Sequence, residues 1–199
     1  MSILTEGAVA PAATARRLPG DLAMWIFIFA ELAVFGILIL AFAVTQMLQA
    51  ELFHDSRQAL DSSTGLALTL GLLTSGLFAA LAVEQVRANR QDRAGWLLLA
   101  ALASAVVYVV LKLQEYGHLA GLGYGLEYNT FFTLYWLLTG FHFLHVLLGM
   151  VILGFMAHRC RIGAYAPGTP RNGLESGALY WHMVDLVWVL LFPLVYLLG

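Results

Sequence analysis

Charged residues in this chain are sparse, and the gaps between them have the length of a bilayer. Between Asp21 and Glu51 lie 29 residues with Glu31 as the one charge. Asp61 and Glu84 enclose 22 uncharged residues, and Arg93 and Lys112 enclose 18. A further 31 residues separate Glu127 from Arg159 with histidines but no other ionisable side chain of full charge, and 24 follow Glu175 with Asp185 alone. A spanning α-helix takes about 20 apolar residues. The pattern therefore predicts five transmembrane helices, near 22–46, 64–86, 94–114, 130–157 and 177–198. The fold class is all-α: a polytopic membrane bundle occupying residues 21–199 as one domain. Residues 1–20, Ala-rich and ending near Arg16 and Arg17, are expected to form a disordered cytoplasmic tail. No internal repeat of the transporter type is visible.

Basic residues orient the bundle. With five spans, Arg16, Arg17, Arg87, Arg90, Arg93, Arg159, Arg161 and Arg171 all fall on one side, and only Arg57 and Lys112 do not. The positive-inside rule then places the N-terminus in the cytoplasm and the C-terminus outside. Trp25, Trp96 and Trp181 fall near the same side, where interfacial aromatics are expected. Of the two opposite loops, 47–63 is polar and mixed in charge. The other, 115–129, is rich in Gly and Tyr, and reads either as a surface that packs against something or as a plain turn.

Composition agrees with this. The chain is 61% hydrophobic and 11% charged, against about 25% charged residues in a soluble domain. A net charge of -2 gives no basis for nucleic-acid binding. The single cysteine, Cys160, excludes a disulfide or a Cys-based metal cluster within one chain and reads as a small apolar residue. The first hydrophobic segment is too long for a signal peptide and is read as retained.

Several ionisable side chains fall inside the predicted helices, five of them away from the ends: Glu31, His142, His145, His182 and Asp185. Glu31 lies roughly 13–15 Å into the first, close to the midplane. A lone carboxyl there is stable only when neutral or partnered, so proton relay, an ion site and a hydrogen bond between helices all stay open. His142 and His145 share one face of the fourth helix. A same-face pair cannot clamp one haem iron from both sides, so interhelical hydrogen bonding is the better reading, with Gly140 and Gly149 allowing close approach. His182 and Asp185, also three apart, lie five to eight residues into the last helix, on the cytoplasmic side of Glu31. There a carboxylate that fixes the imidazole tautomer is expected, since a zinc site needs more ligands. Lys112 and Glu115 close the third helix at its outer edge, as an ion pair or as two snorkelling side chains. No phosphate loop or nucleophile elbow is present, and the loops are too short for an active-site domain, so no catalytic residue is assigned.

Four of these motifs, in order, resemble subunit III of the haem-copper oxidases. The run Tyr180-Trp181-His182-Met183-Val184-Asp185-Leu186-Val187-Trp188 is similar to the family's aromatic-Trp-His-aromatic-Val-Asp-x-x-Trp signature. Gly140 to Gly149 resembles its Gly-x-His-Gly-x-His-Val-x-x-Gly, and Glu115-Tyr116 after Lys112 its acid-aromatic pair. Phe29-Ala30-Glu31 with Phe35 looks like its helix bearing a carbodiimide-reactive carboxyl. Phe143, Met183 and Ala30 depart from the residues usual there.

The resemblance implies a noncatalytic accessory subunit that binds no haem, copper or other metal itself. It implies packing on the catalytic haem-copper subunit, where haem and metal reside, with other subunits of the complex nearby and phospholipid as the one ligand allowed. Its role would be to support assembly, stability and proton uptake in a bacterial inner membrane. Long members have seven helices, and this chain aligns with the last five. The Pro19-Gly20-Asp21-Leu22-Ala23-Met24-Trp25 lead-in and the short form look most like the nitric oxide reductase-associated (NorE-type) branch, whose partner is that enzyme's large subunit and whose setting is denitrification. Five-helix subunits III of cytochrome c or quinol oxidases, serving aerobic respiration, are the alternative. Outside the family, a small proton-coupled transporter built on Glu31 and a membrane haem protein are the competing classes.

Overall fold

The computed structural model describes residues 20–166, 169 and 171–198; the tail expected over residues 1–20 lies, but for Gly20, outside the described residues. Five long apolar helices are present: α1 (Leu22–Leu48), α3 (Ser62–Arg87), α4 (Gln91–Gly121), α5 (Thr130–Arg161) and α6 (Asn172–Phe192), the last continued by a wider π-helical turn, Pro193–Leu197. One short helix, α2 (Ala50–Arg57), occupies the stretch expected to be a loop.

Helix ends follow from local chemistry. Asp61 caps α3, accepting from Ser63 N at 3.0 Å, Thr64 N at 3.1 Å and Thr64 Oγ1 at 2.7 Å, and Asn129 caps α5 through Phe132 N at 3.0 Å. Three helices stop by the same backbone device. After α3, α4 and α5 comes a residue with positive φ: Asn89 (59°), Gly123 (85°) and Gly163 (70°). Its own amide N–H and that of the following residue fold back onto the last turn, the second as Arg90 N to Gln85 O at 2.8 Å and Tyr124 N to Leu119 O at 3.0 Å. Helix α4 runs seven residues beyond the expected end at 114 and stops at the left-handed turn of Gly123. Part of the expected Gly- and Tyr-rich loop is thus helix. What remains of it packs on its own chain, with Tyr124 stacked on Phe132 at 4.7 Å and its carbonyl accepting from Trp136 Nε1 at 2.9 Å.

Helices α3, α4, α5 and α6 close a four-membered ring in chain order, and α1 lies against α5 and α6. Helix α6 is the most enclosed, with 61% of its apolar window buried against 17% for α1, so α6 is the core of the bundle and α1 its outer wall. Small residues set the spacing. Ser75 Oγ donates to Ala101 O at 2.8 Å and Ser104 Oγ to Gly71 O at 2.7 Å, a reciprocal stitch between α3 and α4. Helix α2 is held across one end of the bundle by Phe53, which meets Phe42 and Phe131 edge-on at 5.2 Å each. Among the described residues, Arg87, Arg90, Arg93, Arg159, Arg161 and Arg171 lie at the other end, referred to below as the basic end.

Two sequence expectations fail on packing. Trp181 is not interfacial: it is fully buried, seated on Gly149, where an added Cβ would meet its ring at 2.5 Å. Gly140, expected to share that role, has nothing within 4 Å of a Cβ. The two glycines separate experimentally. Alanine at either position gains about 1 kcal/mol of helix propensity, but at 149 it also overpacks the core by about 1–3 kcal/mol. Gly149→Ala is expected to lower the thermal midpoint in detergent, while Gly140→Ala leaves it unchanged or raises it. Equal midpoints for the two variants would sink this account of the α5–α6 seam.

Candidate functional site

The polar residues inside the spans form three arrangements. The largest centres on Lys112, which has no exposed surface. Its Nζ donates to Glu115 Oε2 at 3.0 Å, Tyr196 OH at 2.9 Å and Tyr135 OH at 3.1 Å. Tyr196 OH in turn donates to Glu115 at 2.7 Å and Tyr135 OH to Glu115 Oε1 at 3.0 Å, so the carboxylate is saturated. The ammonium also lies 4.8–5.6 Å from the ring centres of Tyr116, Tyr135, Trp188 and Tyr196. The pair is therefore neither at a helix end nor snorkelling; α4 continues past it, and three helices close over it. A cavity of about 310 Å³ lined by Asp61, Gln114, Glu115 and His118 reaches Glu115 from the end opposite the basic one.

Tyr135 and Tyr196 were not singled out by the sequence. A tyrosine hydroxyl deep in an uncharged span needs a polar partner, and that signal was available. Arg57 was also missed. It is buried under α2 and donates through Nε to Val195 O at 2.9 Å, a carbonyl freed where the last helix widens before ending. Burial lowers its pKa from the ordinary value, yet a guanidinium stays charged at any physiological pH.

The second arrangement joins α1 to α5. His145 Nε2 lies 3.0 Å from Glu31 Oε2, and Nδ1 lies 2.8 Å from Phe141 O. A carbonyl only accepts, so Nδ1 carries a hydrogen. The Nε2–Oε2 contact then holds one proton, either on a carboxylic acid donating to neutral imidazole or on an imidazolium donating to carboxylate. Both states have zero net charge, which is what a low-dielectric setting favours. Tyr180 OH donates to His145 O at 3.2 Å and ties α6 to the same point. Glu31 keeps 20% of its side-chain surface exposed, so it is the member that meets the surroundings.

His142 does not join its neighbour. It is fully enclosed by rings, Trp188 at 5.1 Å and Phe35 and Tyr108 at 6.2 Å. Neither ring nitrogen has a protein hydrogen-bond partner among the described residues. One face of α5 thus carries one bonded and one unbonded histidine.

The third arrangement is His182 with Asp185. Helix α6 begins at Asn172, and Asp21 N donating to Ser176 Oγ at 3.2 Å sets the start of α1 level with Ser176, so His182 lies nearer the basic end than Glu31 does, as expected. Its Nδ1 is 3.8 Å from Asp185 Oδ2, too long for the hydrogen bond that the spacing predicts. Asp185 is buried against Gly76 of α3, whose missing Cβ makes room for Oδ2, and Oδ1 has no partner among the described residues.

Comparison with known proteins gives this architecture a context. The profile of cytochrome c oxidase subunit III matches residues 3–199. The chain belongs to the cytochrome c oxidase subunit III family. It is 38% identical over 117 residues to a cytochrome c oxidase subunit 3 of Synechocystis sp., covering 57% of this chain and 48% of that protein. It is 28% identical over 179 residues to a probable quinol oxidase subunit 3 of Staphylococcus aureus, covering 89% of this chain and 88% of that protein. The match to the Synechocystis protein thus spans about half of that relative's length.

Both nitrogens of His145 are engaged, His142 is walled in by rings, and no three His, Cys, Asp or Glu side chains converge among the described residues.

Two outcomes follow for the site. Lys112→Met leaves Glu115 buried and unpaired, a loss of about 3–5 kcal/mol, whereas Lys112→Met with Glu115→Gln recovers much of it; thermal unfolding in detergent reads both, and a double variant no better than the single one argues against a coupled pair. Glu31 is expected to react with a hydrophobic carbodiimide faster than the loop acids, and faster still in His145→Leu, where a neutral acid is the only low-cost state. Labelling followed by peptide mass spectrometry measures this, and equal labelling of Glu31 and Glu51 would contradict it.

Proposed function

We propose that this protein is a noncatalytic accessory subunit of a haem-copper respiratory oxidase, packed on the catalytic subunit in a bacterial inner membrane. The observation that carries this reading is the subunit III profile running across all five spans, with relatives named for both cytochrome c and quinol oxidases. The internal chemistry supports it. The Lys112 and Glu31 clusters bind helices to one another. The Arg cluster at one end supports an N-terminus in the cytoplasm and a C-terminus outside. Haem and copper belong to the catalytic subunit in this reading, and phospholipid is the ligand available to the exposed flank of α1.

The Glu31–His145 contact supplies a proton-holding group with a small exposed margin, which suits support of proton uptake by the complex. A second reading places the chain beside a nitric oxide reductase. It rests on the lead-in from Pro19 to Trp25, and the oxidase names of its relatives favour the first.

Affinity purification of the tagged chain from native membranes in mild detergent is expected to bring down a haem protein with a Soret band, and the chain alone to show none. Oxygen consumption with reduced cytochrome c or quinol, against nitric oxide consumption, distinguishes the two branches. Recovery of the chain free of any haem protein would overturn the proposal.

A further inference from the structure

Helix α2 and the turn after it separate two cavities at the end opposite the basic one. On one side a cavity of about 450 Å³ is lined by Asp55 and Ser56 of α2 and faces Tyr124, Tyr128 and Phe132. On the other side is the cavity of about 310 Å³ that reaches Glu115, with Asp61 and Thr64 on one wall and Leu111 and Gln114 on another. Ala59, in the turn, lines both, so this short segment is the partition between them. Behind the second cavity, Glu115 keeps 7% of its side-chain surface open and Lys112 none.

The tethers of this segment lead to the same buried pair. Arg57 donates through Nε to Val195 O at 2.9 Å and through Nη2 to Leu194 O at 3.4 Å, and Ser62 Oγ donates to Tyr196 O at 3.4 Å. Those carbonyls belong to the turn that carries the Tyr196 hydroxyl to Lys112 and Glu115. A further tether, Asn129 Nδ2 to Ser56 Oγ at 2.9 Å, lies toward the other cavity. The grip is incomplete. Nη1 of Arg57 is buried and has no hydrogen-bond partner among the described residues, so the closed arrangement keeps a charge from water with one donor unanswered. Glu51, His54 and Asp55 already face outward, so lifting α2 uncovers little beyond Phe53 and Arg57. We infer that α2 and its following turn form a strap over the Glu115 cavity: while Arg57 holds the carbonyls of Leu194 and Val195, water stops at the edge of the Lys112–Glu115 pair, and release of Arg57 admits water and protons to it from this end of the bundle.

Thiol accessibility tests the strap in the full chain, reconstituted in nanodiscs with the buried Cys160 replaced by alanine. Leu111→Cys places a thiol on the wall of the Glu115 cavity, and Leu126→Cys places one on the exposed α4–α5 loop, outside both cavities. The rate of reaction with a cationic, membrane-impermeant methanethiosulfonate is read by mass spectrometry. Arg57→Met removes hydrogen bonds from a charged donor and is expected to raise the rate at 111 about tenfold, while the rate at 126 stays the same. Ser56→Ala cuts the milder tether and leaves Arg57 and the cap of α5 in place; it is expected to raise the rate at 111 about two- to threefold. An unchanged or slower rate at 111 in Arg57→Met overturns the strap, and so does equal acceleration at 111 and 126, which marks general loosening of the bundle. Should Arg57→Met fail to fold, Ser56→Ala decides alone, and an unchanged rate there overturns the inference.

Discussion

Lys112 has no contact with solvent and lies within a helix that crosses the membrane. Everything around it follows from the absence of water there. A buried ammonium costs several kcal/mol unless its charge and all its hydrogens are answered. One carboxylate three residues on, two phenols from other helices and four aromatic faces answer them. To reach it, α4 must extend past the pair, α5 must present Tyr135, and the last helix must widen to bring Tyr196 inward. That widening frees carbonyls at its end, and Arg57 on α2 donates to two of them, Val195 O and Leu194 O. The short helix α2 is thus part of the same solution, a cation supplied where a helix ends.

The three pairs at a spacing of three residues obey the same geometry and reach different ends. Lys112 and Glu115 are closed by their neighbours. His142 and His145 split, one bonded to α1 and the other sealed among rings. His182 and Asp185 stop short of each other, with a buried oxygen on one and an exposed ring on the other. A spacing of three residues thus brings two side chains to one helix face, and the neighbouring helices decide whether the pair closes.

Much of the architecture was legible along the chain, because hydrocarbon thickness imposes a length on every span and charges mark the limits. The intervals between charges locate five helices to within a few residues at most ends. The exceptions have local causes. Helix α4 outruns its expected limit because Lys112 and Glu115, taken as boundary charges, are interior ones. Helix α6 starts early because Glu175 belongs to its first turn, in reach of Arg87. Motif order pointed to the family, and the match across residues 3–199 establishes it.

Partnership was a different matter. Spacing says which side chains share a helix face, but not which helix that face meets. Glu31 reads as a lone midplane acid until α1 is laid beside His145. Gly140 and Gly149 are alike in sequence, and only one lies under a tryptophan. Tyr135 and Tyr196 are ordinary aromatic positions until both close on Lys112 from different helices. By itself the sequence determined the number, length and class of the spans, since these depend on one solvent and one distance. The tertiary structure alone decided which polar groups are satisfied, because a hydrogen bond requires two atoms about 3 Å apart and the second atom belongs to a helix far away in the chain.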